Sequence, residues 1–322
     1  MRNRLLFALL AAAFACSLFI EPAQAQRART FVASYGNDSN PCTFGSPCRT
    51  FQQAVNVVAA GGEVTAIDSA GYGPISINQS VTITSPPGVE AGIVPTSGNP
   101  AILITTAGIS FDPPIPNIVQ LRGLTLDGTG GGTNGIVFGG AGTRVEIIDC
   151  VIHNFSSDGI LLTPNGGAVI TDSFLISNTI VTNNGANGIE LNPGGPFNLR
   201  GAIDRVNTGG NGTFGILITG TNTQSFLDIA ISNTVVDGNS GDGIEVLGNG
   251  NVTAEIRDST LSNNSFNGVT VSNATVDLYA NAIRMNNHAG YVIVGTGVIN
   301  SFGNNNILNA GNSGTLTHVN GQ

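Results

Sequence analysis

The chain has 322 residues, of which 45 are glycine, 10% are charged and none is tryptophan, and its net charge is −9. A hydrophobic content of 41% is too high for a disordered tract, and abundant glycine favours tight turns over long solvated helices. The negative charge excludes nucleic acid and anionic membrane surfaces as expected partners, because both bind to basic patches.

The first 25 residues have the features of a secretory signal peptide. Arg2 and Arg4 form a basic start, residues 5–20 are an apolar run, and residues 23–25 read Ala-Gln-Ala, an A-x-A cleavage motif. We expect the mature chain to begin at Gln26 and to be secreted or periplasmic. No later stretch is long and apolar enough to span a bilayer, so membrane insertion is not expected.

Residues 26–62 are predicted to form an N-terminal segment that closes one end of the core. In an oxidising compartment Cys42 and Cys48 favour a local disulfide, with two free thiols as the alternative. An apolar face follows in the pattern i, i+3, i+4, i+7 from Phe51 to Val58, which predicts an amphipathic helix. Thr50 supplies the N-cap, and Gly61-Gly62 are expected to end this helix.

The rest of the chain repeats a glycine followed by an apolar residue. The spacing of these glycines is 22 to 29 residues, which is the period of a solenoid. The glycines of this column are Gly135, Gly159, Gly188, Gly215, Gly243, Gly268 and Gly290.

A second column of polar residues lies between successive glycines. Asn and Asp tolerate left-handed backbone and bond to local backbone groups, so this column predicts a stacked corner, or ladder. Its members are Asp149, Asn178, Asp204, Asn233 and Asp258. Each unit is therefore predicted to contain a short strand, an Asn/Asp corner, a second strand, a polar turn and the Gly-Ile strand.

This repeat resembles the right-handed parallel β-helix of the pectate lyase-like superfamily. The resemblance covers roughly residues 30–309 and predicts an all-β solenoid of roughly nine coils with a short capping α-helix. The predicted organisation is a signal peptide over 1–25, the N-terminal segment over 26–62, the β-helix over 63–309 and a polar tail over 310–322. A β-sandwich is the alternative, but it would show alternating hairpin strands without stacked columns.

The resemblance implies a substrate groove over the outward face of the Gly-Ile strand. Four acidic residues then become catalytic candidates, namely Asp158, Glu190, Asp242 and Glu245. Glu190 and Glu245 lie two coils apart, about 9.6 Å at the spacing of neighbouring strands. That is near the upper limit for the paired carboxylates of inverting glycosidases. Solvated acids on an exposed strand are the simpler interpretation.

The enzyme motifs of this superfamily are mostly missing. The segments beginning at Asn178 and Asn233 read N-T-I and N-T-V, without the Asp of an Asn-Thr-Asp motif, and no Gly-His-Gly occurs. The chain has no Lys to act as the base of a lyase, and Arg205 and Arg257 lie beside the corner instead. No metal site and no cofactor are predicted.

Two classes of function remain from the sequence. The first is a non-catalytic protein that is structural or that binds a polysaccharide, a cell-surface glycan or another surface through its lateral face. The second is a polysaccharide lyase or glycoside hydrolase. The failed motifs favour binding. The outward column of the Gly-Ile strand is predicted to be the binding strip, with Leu161, Glu190, Leu217, Glu245 and Thr270 at its centre.

Overall fold

The computed structural model describes residues 27–106, 117–165, 170–220, 222–249, 251–309 and 311–319. These residues form three parallel sheets of twelve, ten and nine strands, which we call the long sheet, the corner sheet and the Gly-Ile sheet. Each coil passes through the three sheets in that order, and the nine strands of the Gly-Ile sheet mark nine complete coils. The predicted parallel β-helix is confirmed.

The twelve strands of the long sheet stack in chain order. They are Arg27–Val32, Val58–Ala66, Val81–Thr84, Asn117–Arg122, Thr143–Ile148, Ile170–Ser177, Phe197–Asp204, Phe226–Ser232, Val252–Arg257, Thr275–Tyr279, Val298–Ser301 and Thr317–His318.

The other two sheets are built from shorter strands. The corner sheet contains Ala70–Gly71, Ala91–Ile93, Leu124–Asp127, Val151–His153, Ile180–Thr182, Asn207–Gly209, Val235–Asp237, Thr260–Ser262, Ala282–Arg284 and Asn306–Leu308. The Gly-Ile sheet contains Ile75–Ile77, Ile102–Ile104, Ile136–Phe138, Ile160–Leu162, Ile189–Leu191, Ile216–Gly220, Ile244–Gly248, Val269–Ser272 and Tyr291–Val294. A single turn of 3-10 helix spans Gly128–Gly130.

Stacked aliphatic side chains fill the interior of the coils. Strand alternation sends every second residue inward, so the first apolar residue after each repeat glycine lies above its counterpart in the next coil. Ile160, Ile189, Ile216 and Ile244 follow one another in this way, and all four are fully buried. A strand of three residues cannot bury a face alone, and stacking supplies the missing partner.

The N-terminal end of the core is covered by the helix Phe51–Val57, which we call α1. Thr50 accepts a hydrogen bond from the backbone N–H of Gln53, as expected of an N-cap. The helix ends at Val57, with Val58 as its C-cap, about one turn before the predicted stop at Gly61-Gly62. The reason is tertiary: Val58–Ala66 pairs with Arg27–Val32 as a strand of the long sheet, and this pairing takes the glycines into the sheet.

The described cysteines occupy two environments, a disulfide in the N-terminal segment and a buried position in the solenoid. Cys42 and Cys48 form a disulfide within the N-terminal segment, beside Arg27–Val32. Cys150 is a buried free thiol, and burial raises its pKa to about 11. Cys150 is therefore protonated at neutral pH and packs as a small apolar side chain.

The C-terminal residues extend the solenoid beyond the predicted end at 309. Ser313 pairs with Val292 at the edge of the Gly-Ile sheet, and Thr317–His318 adds a last strand to the long sheet. The segment 311–319 therefore satisfies backbone groups at the ends of two sheets, although most of its side chains are exposed.

The corner between the long sheet and the corner sheet has left-handed backbone in successive coils. Asp149, Asn178, Asn233 and Asp258 have positive φ, as their residue types favour. Asp204 does not belong to this row, because it pairs with Ser177 and Ser232 as the last residue of its strand. Arg205 takes the left-handed position instead, with a φ of 52°. Asp204 still accepts a hydrogen bond from Asn233 Nδ2 at 2.9 Å.

A buried asparagine ladder, absent from the sequence predictions, fixes the turn before each of the last five Gly-Ile strands, from Ile189–Leu191 to Tyr291–Val294. In this ladder each Nδ2 donates to the Oδ1 of the next asparagine, and that same Oδ1 also accepts a backbone N–H. Its members are Asn184, Asn211, Asn239, Asn264 and Asn286, with Asn309 at the end. Each of the first five stands four residues before a repeat glycine. The ladder therefore positions the residues beside that glycine, which border the Gly-Ile sheet.

Candidate functional site

The outward residues of the Gly-Ile sheet form one continuous column. The strand register places Val137, Leu161, Glu190, Leu217, Glu245, Thr270 and Val292 in adjacent positions, in that order. Leu103 and Ser76 extend the column toward the N-terminal end. Its members are mostly half-buried, and Thr270 is 8% exposed. The column is therefore a surface strip whose side chains pack closely against one another.

The segment 192–201 follows a strand of the strip and forms part of the coil wall. Residues 192–196 bond to Leu162 and Pro164 of the preceding coil, and the strand Phe197–Asp204 then enters the long sheet. Asn192 contacts the strip only through a hydrogen bond to Glu190. These contacts account for the segment without a fold over Leu161 or Leu217.

Asp158 and Glu190 belong to a saturated hydrogen-bond network. Asp158 accepts from Asn134 Nδ2, from the Ser157 hydroxyl and from the backbone N–H of Asn187. Glu190 accepts from Asn187 Nδ2 at 2.8 Å and from Asn192 Nδ2 at 3.1 Å. Both carboxylates therefore act as structural hydrogen-bond acceptors in this arrangement.

Asp242 and Glu245 have a different environment. Asp242 is buried and accepts the backbone N–H of Asn267 at 2.8 Å. Within the described part of the chain, Glu245 accepts no hydrogen bond. Burial, together with the negative charge of Asp242, raises the pKa of Glu245. The sequence did not indicate this raised pKa of Glu245.

Aromatic residues stand beside this acidic pair. A groove of about 380 Å³ is lined by Phe214, Gly241, Asp242, Glu245, Phe266, Asn267 and Thr270, among others. Phe266 is 49% exposed, and its ring stacks on that of His288 at 4.9 Å between centroids. The predicted binding strip did not include Phe214 and Phe266, because these aromatic side chains come from the turns and not from the strands.

Gly241 forms the gap between the two phenylalanines. Backbone hydrogen bonds place it between Thr213 of the preceding coil and Phe266 of the following coil. A Cβ at this position would lie 3.1 Å from Phe214 Cδ1 and 2.8 Å from the Thr213 carbonyl oxygen. Only glycine therefore leaves this part of the groove open while Phe214 keeps its position.

The cations lie away from the groove. Across the described residues, no arginine occurs on a strand of the Gly-Ile sheet or in the turns that lead into it. Arg144 and Arg200 are outward residues of the long sheet, where Arg144 pairs with Glu146. Arg205 and Arg257 lie at or next to the corner and pair with Asp204 and Glu255.

The described residues contain no cluster of three or more His, Cys, Asp or Glu side chains that would hold a metal ion. They also contain no helix long and apolar enough to cross a membrane. The apolar run of the predicted signal peptide lies outside the described residues.

No protein-family model matches the sequence, and no curated protein matches it. Solved structures match most of the chain at low identity. Pectate lyase Pel9A gives a TM-score of 0.58 at 16% identity, over 89% of this chain and 78% of its own. A rhamnogalacturonan lyase gives 0.55 at 14% identity, over 82% and 74%. The A-module of the Azotobacter vinelandii mannuronan C-5 epimerase AlgE4 gives 0.54 at 16% identity, over 76% and 79%.

These neighbours are right-handed β-helices, and the protein is therefore a right-handed parallel β-helix protein. The fold predicted from the repeat is thereby confirmed. The low identities establish the fold and not the activity, because function depends on the residues of a site and not on its scaffold.

Proposed function

We propose that this is an exported glycan-binding protein whose binding surface is the outward strip of the Gly-Ile sheet with the adjoining aromatic groove. The observation that carries this proposal is the groove itself, where Phe266, Glu245 and Thr270 line one cavity. Sugar rings present apolar C–H faces beside hydroxyl groups, so an aromatic face next to hydrogen-bonding side chains matches their chemistry. Two fold neighbours are named as lyases of pectate and rhamnogalacturonan, which agrees with a carbohydrate ligand.

The strip supplies the rest of the surface. Leu161 and Leu217 alternate with Glu190 and Glu245 along the column, so apolar contacts and hydrogen-bond acceptors alternate about every 4.8 Å. A polymer lying along the solenoid axis would meet the same two chemistries repeatedly. The surface therefore suits an extended polysaccharide better than a single small molecule.

Binding is tested with the double variant Leu161→Asp, Leu217→Asp. We expect wild type to retain at least one polysaccharide of a neutral and acidic glycan array, and this variant to lose it. The matched control is Ile148→Asp, Leu175→Asp, which makes the same change on outward half-buried positions of the long sheet. Equal binding by the two double variants, both shown to be folded by circular dichroism, would place the binding surface elsewhere.

A second function is favoured by the acidic pair. A carboxyl group with a raised pKa beside a second carboxyl group is the usual arrangement of a general acid and its partner. Glu245 with the raised pKa would be the proton donor and Asp242 the carboxylate, as in a glycoside hydrolase. The test is a screen on neutral and uronate polysaccharides that detects new reducing ends and unsaturated products. Activity that Glu245→Gln abolishes and Glu90→Gln, at an exposed residue of an early coil, retains would establish this function.

A further inference from the structure

The groove at Gly241 has the dimensions of a subsite bordered by two aromatic side chains. Phe214 lies on one side of Gly241 and Phe266 on the other, and the missing Cβ keeps the space between them open. The ring of Phe266 is supported on its far side by His288, which leaves its other face toward the groove. A flat ring with one supported face and one free face is a platform for the apolar side of a sugar.

The floor of this subsite is rich in hydrogen-bond acceptors. The Asp242 and Glu245 carboxylates border it together with the hydroxyl of Thr270. Asn267 Nδ2 donates to that hydroxyl oxygen at 3.1 Å, so the Thr270 proton remains available to a ligand. Sugar hydroxyl groups can donate to the carboxylates and accept from Thr270, which satisfies both partners.

The charge of the subsite restricts the class of sugar. Asp242 and Glu245 contribute two carboxyl groups, and no arginine lies on the surrounding strands or turns within the described ranges. An anionic ligand would bring a third negative charge into a half-buried space without a cation, and like charges held together in such a space repel strongly. A ligand with hydroxyl groups only avoids this repulsion.

We infer that the groove between Phe214 and Phe266 is a subsite for neutral sugar residues and that Asp242 and Glu245 exclude uronate residues from it. This inference rests on the proposed glycan-binding function and adds the substrate class. It also sets the protein apart from its fold neighbours, two of which are named for the acidic polymers pectate and mannuronan.

The test compares two polymers that differ only at C6 of each sugar. Calorimetry at pH 8 measures binding of β-1,4-mannohexaose and β-1,4-hexamannuronate, and of cellohexaose and its C6-oxidised form. We expect at least one neutral hexasaccharide to bind at least tenfold more tightly than its acidic counterpart. Phe266→Ala should weaken the neutral ligand at least tenfold, whereas Phe226→Ala should not, since Phe226 is an equally exposed phenylalanine of the long sheet.

A second variant tests whether the negative charge of Glu245 excludes acidic sugars. Glu245→Gln should narrow the preference for the neutral ligand, because one of the two excluding charges is gone. Glu90→Gln makes the same change in net charge on an exposed residue of an early coil, and it should leave the preference unchanged.

Each outcome separates the substrate class from the general function. Tighter binding of the acidic member, lost in Leu161→Asp, Leu217→Asp, would overturn the neutral subsite and leave the glycan-binding function standing. Neutral binding that Phe266→Ala leaves intact would move the subsite away from this groove. Binding of no hexasaccharide and of no glycan on the array would overturn both proposals.

Discussion

Asp172 provides a sharp test of the packing of the solenoid, because its side chain points into the core. It has the inward orientation of Phe174 and Ile176 on the same strand, and it is fully buried. One carboxylate oxygen accepts the backbone N–H of Thr143 at 2.7 Å, and the other has no hydrogen-bond partner among the residues that the structure describes. Burial raises the pKa of Asp172 from 3.8 to about 6.

The sign and size of its effect on stability follow from this pKa. The folded protein holds a proton on Asp172 between pH 3.8 and 6 that the unfolded chain releases, so the folded state is favoured most at low pH. As pH rises through this window, the free energy of unfolding loses about 3 kcal/mol, at about 1.4 kcal/mol for each pKa unit. Above pH 6 both states are ionised, and the loss is complete.

The substitution Asp172→Asn keeps the shape and the hydrogen bond to Thr143 but removes the titration. We expect its advantage over wild type in the free energy of unfolding to grow by about 2–3 kcal/mol between pH 4 and pH 7.5. Urea titrations monitored by circular dichroism at these two pH values measure it. Asp228→Asn, on the exposed face of the same sheet, is the control and should show no such growth. A constant difference between Asp172→Asn and wild type would refute a buried carboxyl with a raised pKa.

Three further predictions concern stability and processing. Asn239→Ala should lower the free energy of unfolding by about 2–4 kcal/mol, because it leaves buried ladder groups without partners. The control Asn233→Ala, at the exposed corner, should lower it by about 1 kcal/mol or less. Equal losses in urea unfolding would contradict the stabilising role of the ladder. Replacing Cys42 and Cys48 by alanine should cost about 2 kcal/mol in the same assay, as expected for a short loop, and an unchanged midpoint would argue against a stabilising role for the disulfide. Mass spectrometry of the exported protein should find Gln26 at its N-terminus, and an intact Met1 would refute the signal peptide.

The sequence predicted those parts of the fold that repeat in every coil. The column of Gly-Ile pairs located the strands, and the alignment of Glu190, Leu217 and Glu245 agrees with the strand register. The prediction of the corner row was wrong at one position, because Asp204 was aligned with the other corner residues by its residue type. Burial would have corrected it, since Val206 is the inward counterpart of Thr179 and Thr234, and this puts Arg205 at the left-handed position.

The candidate site was less predictable, because it depends on contacts between the turns of neighbouring coils and on burial. The asparagine ladder had a signal in the sequence, an Asn four residues before each repeat glycine from Asn184 to Asn286, which was not used. The groove had none, because Phe266 and Gly241 become neighbours only through the stacking of turns. The raised pKa of Glu245 likewise depends on burial, which strand alternation alone does not determine.

The ladder and the left-handed corner together decide where this chain can change its length. The distance from the left-handed corner residue to the repeat glycine is ten residues in six coils, as in 149 to 159, 178 to 188 and 258 to 268. From that glycine to the next corner it varies from 12 residues (268 to 280) to 19 (159 to 178). Insertions and deletions are therefore confined to one side of the solenoid, where the chain leaves the Gly-Ile sheet and joins the long sheet. That side borders the strip, whereas the turns that line the groove lie on the side of constant length. A lineage of such proteins can therefore remodel one edge of its ligand surface while the edge that carries the groove stays fixed.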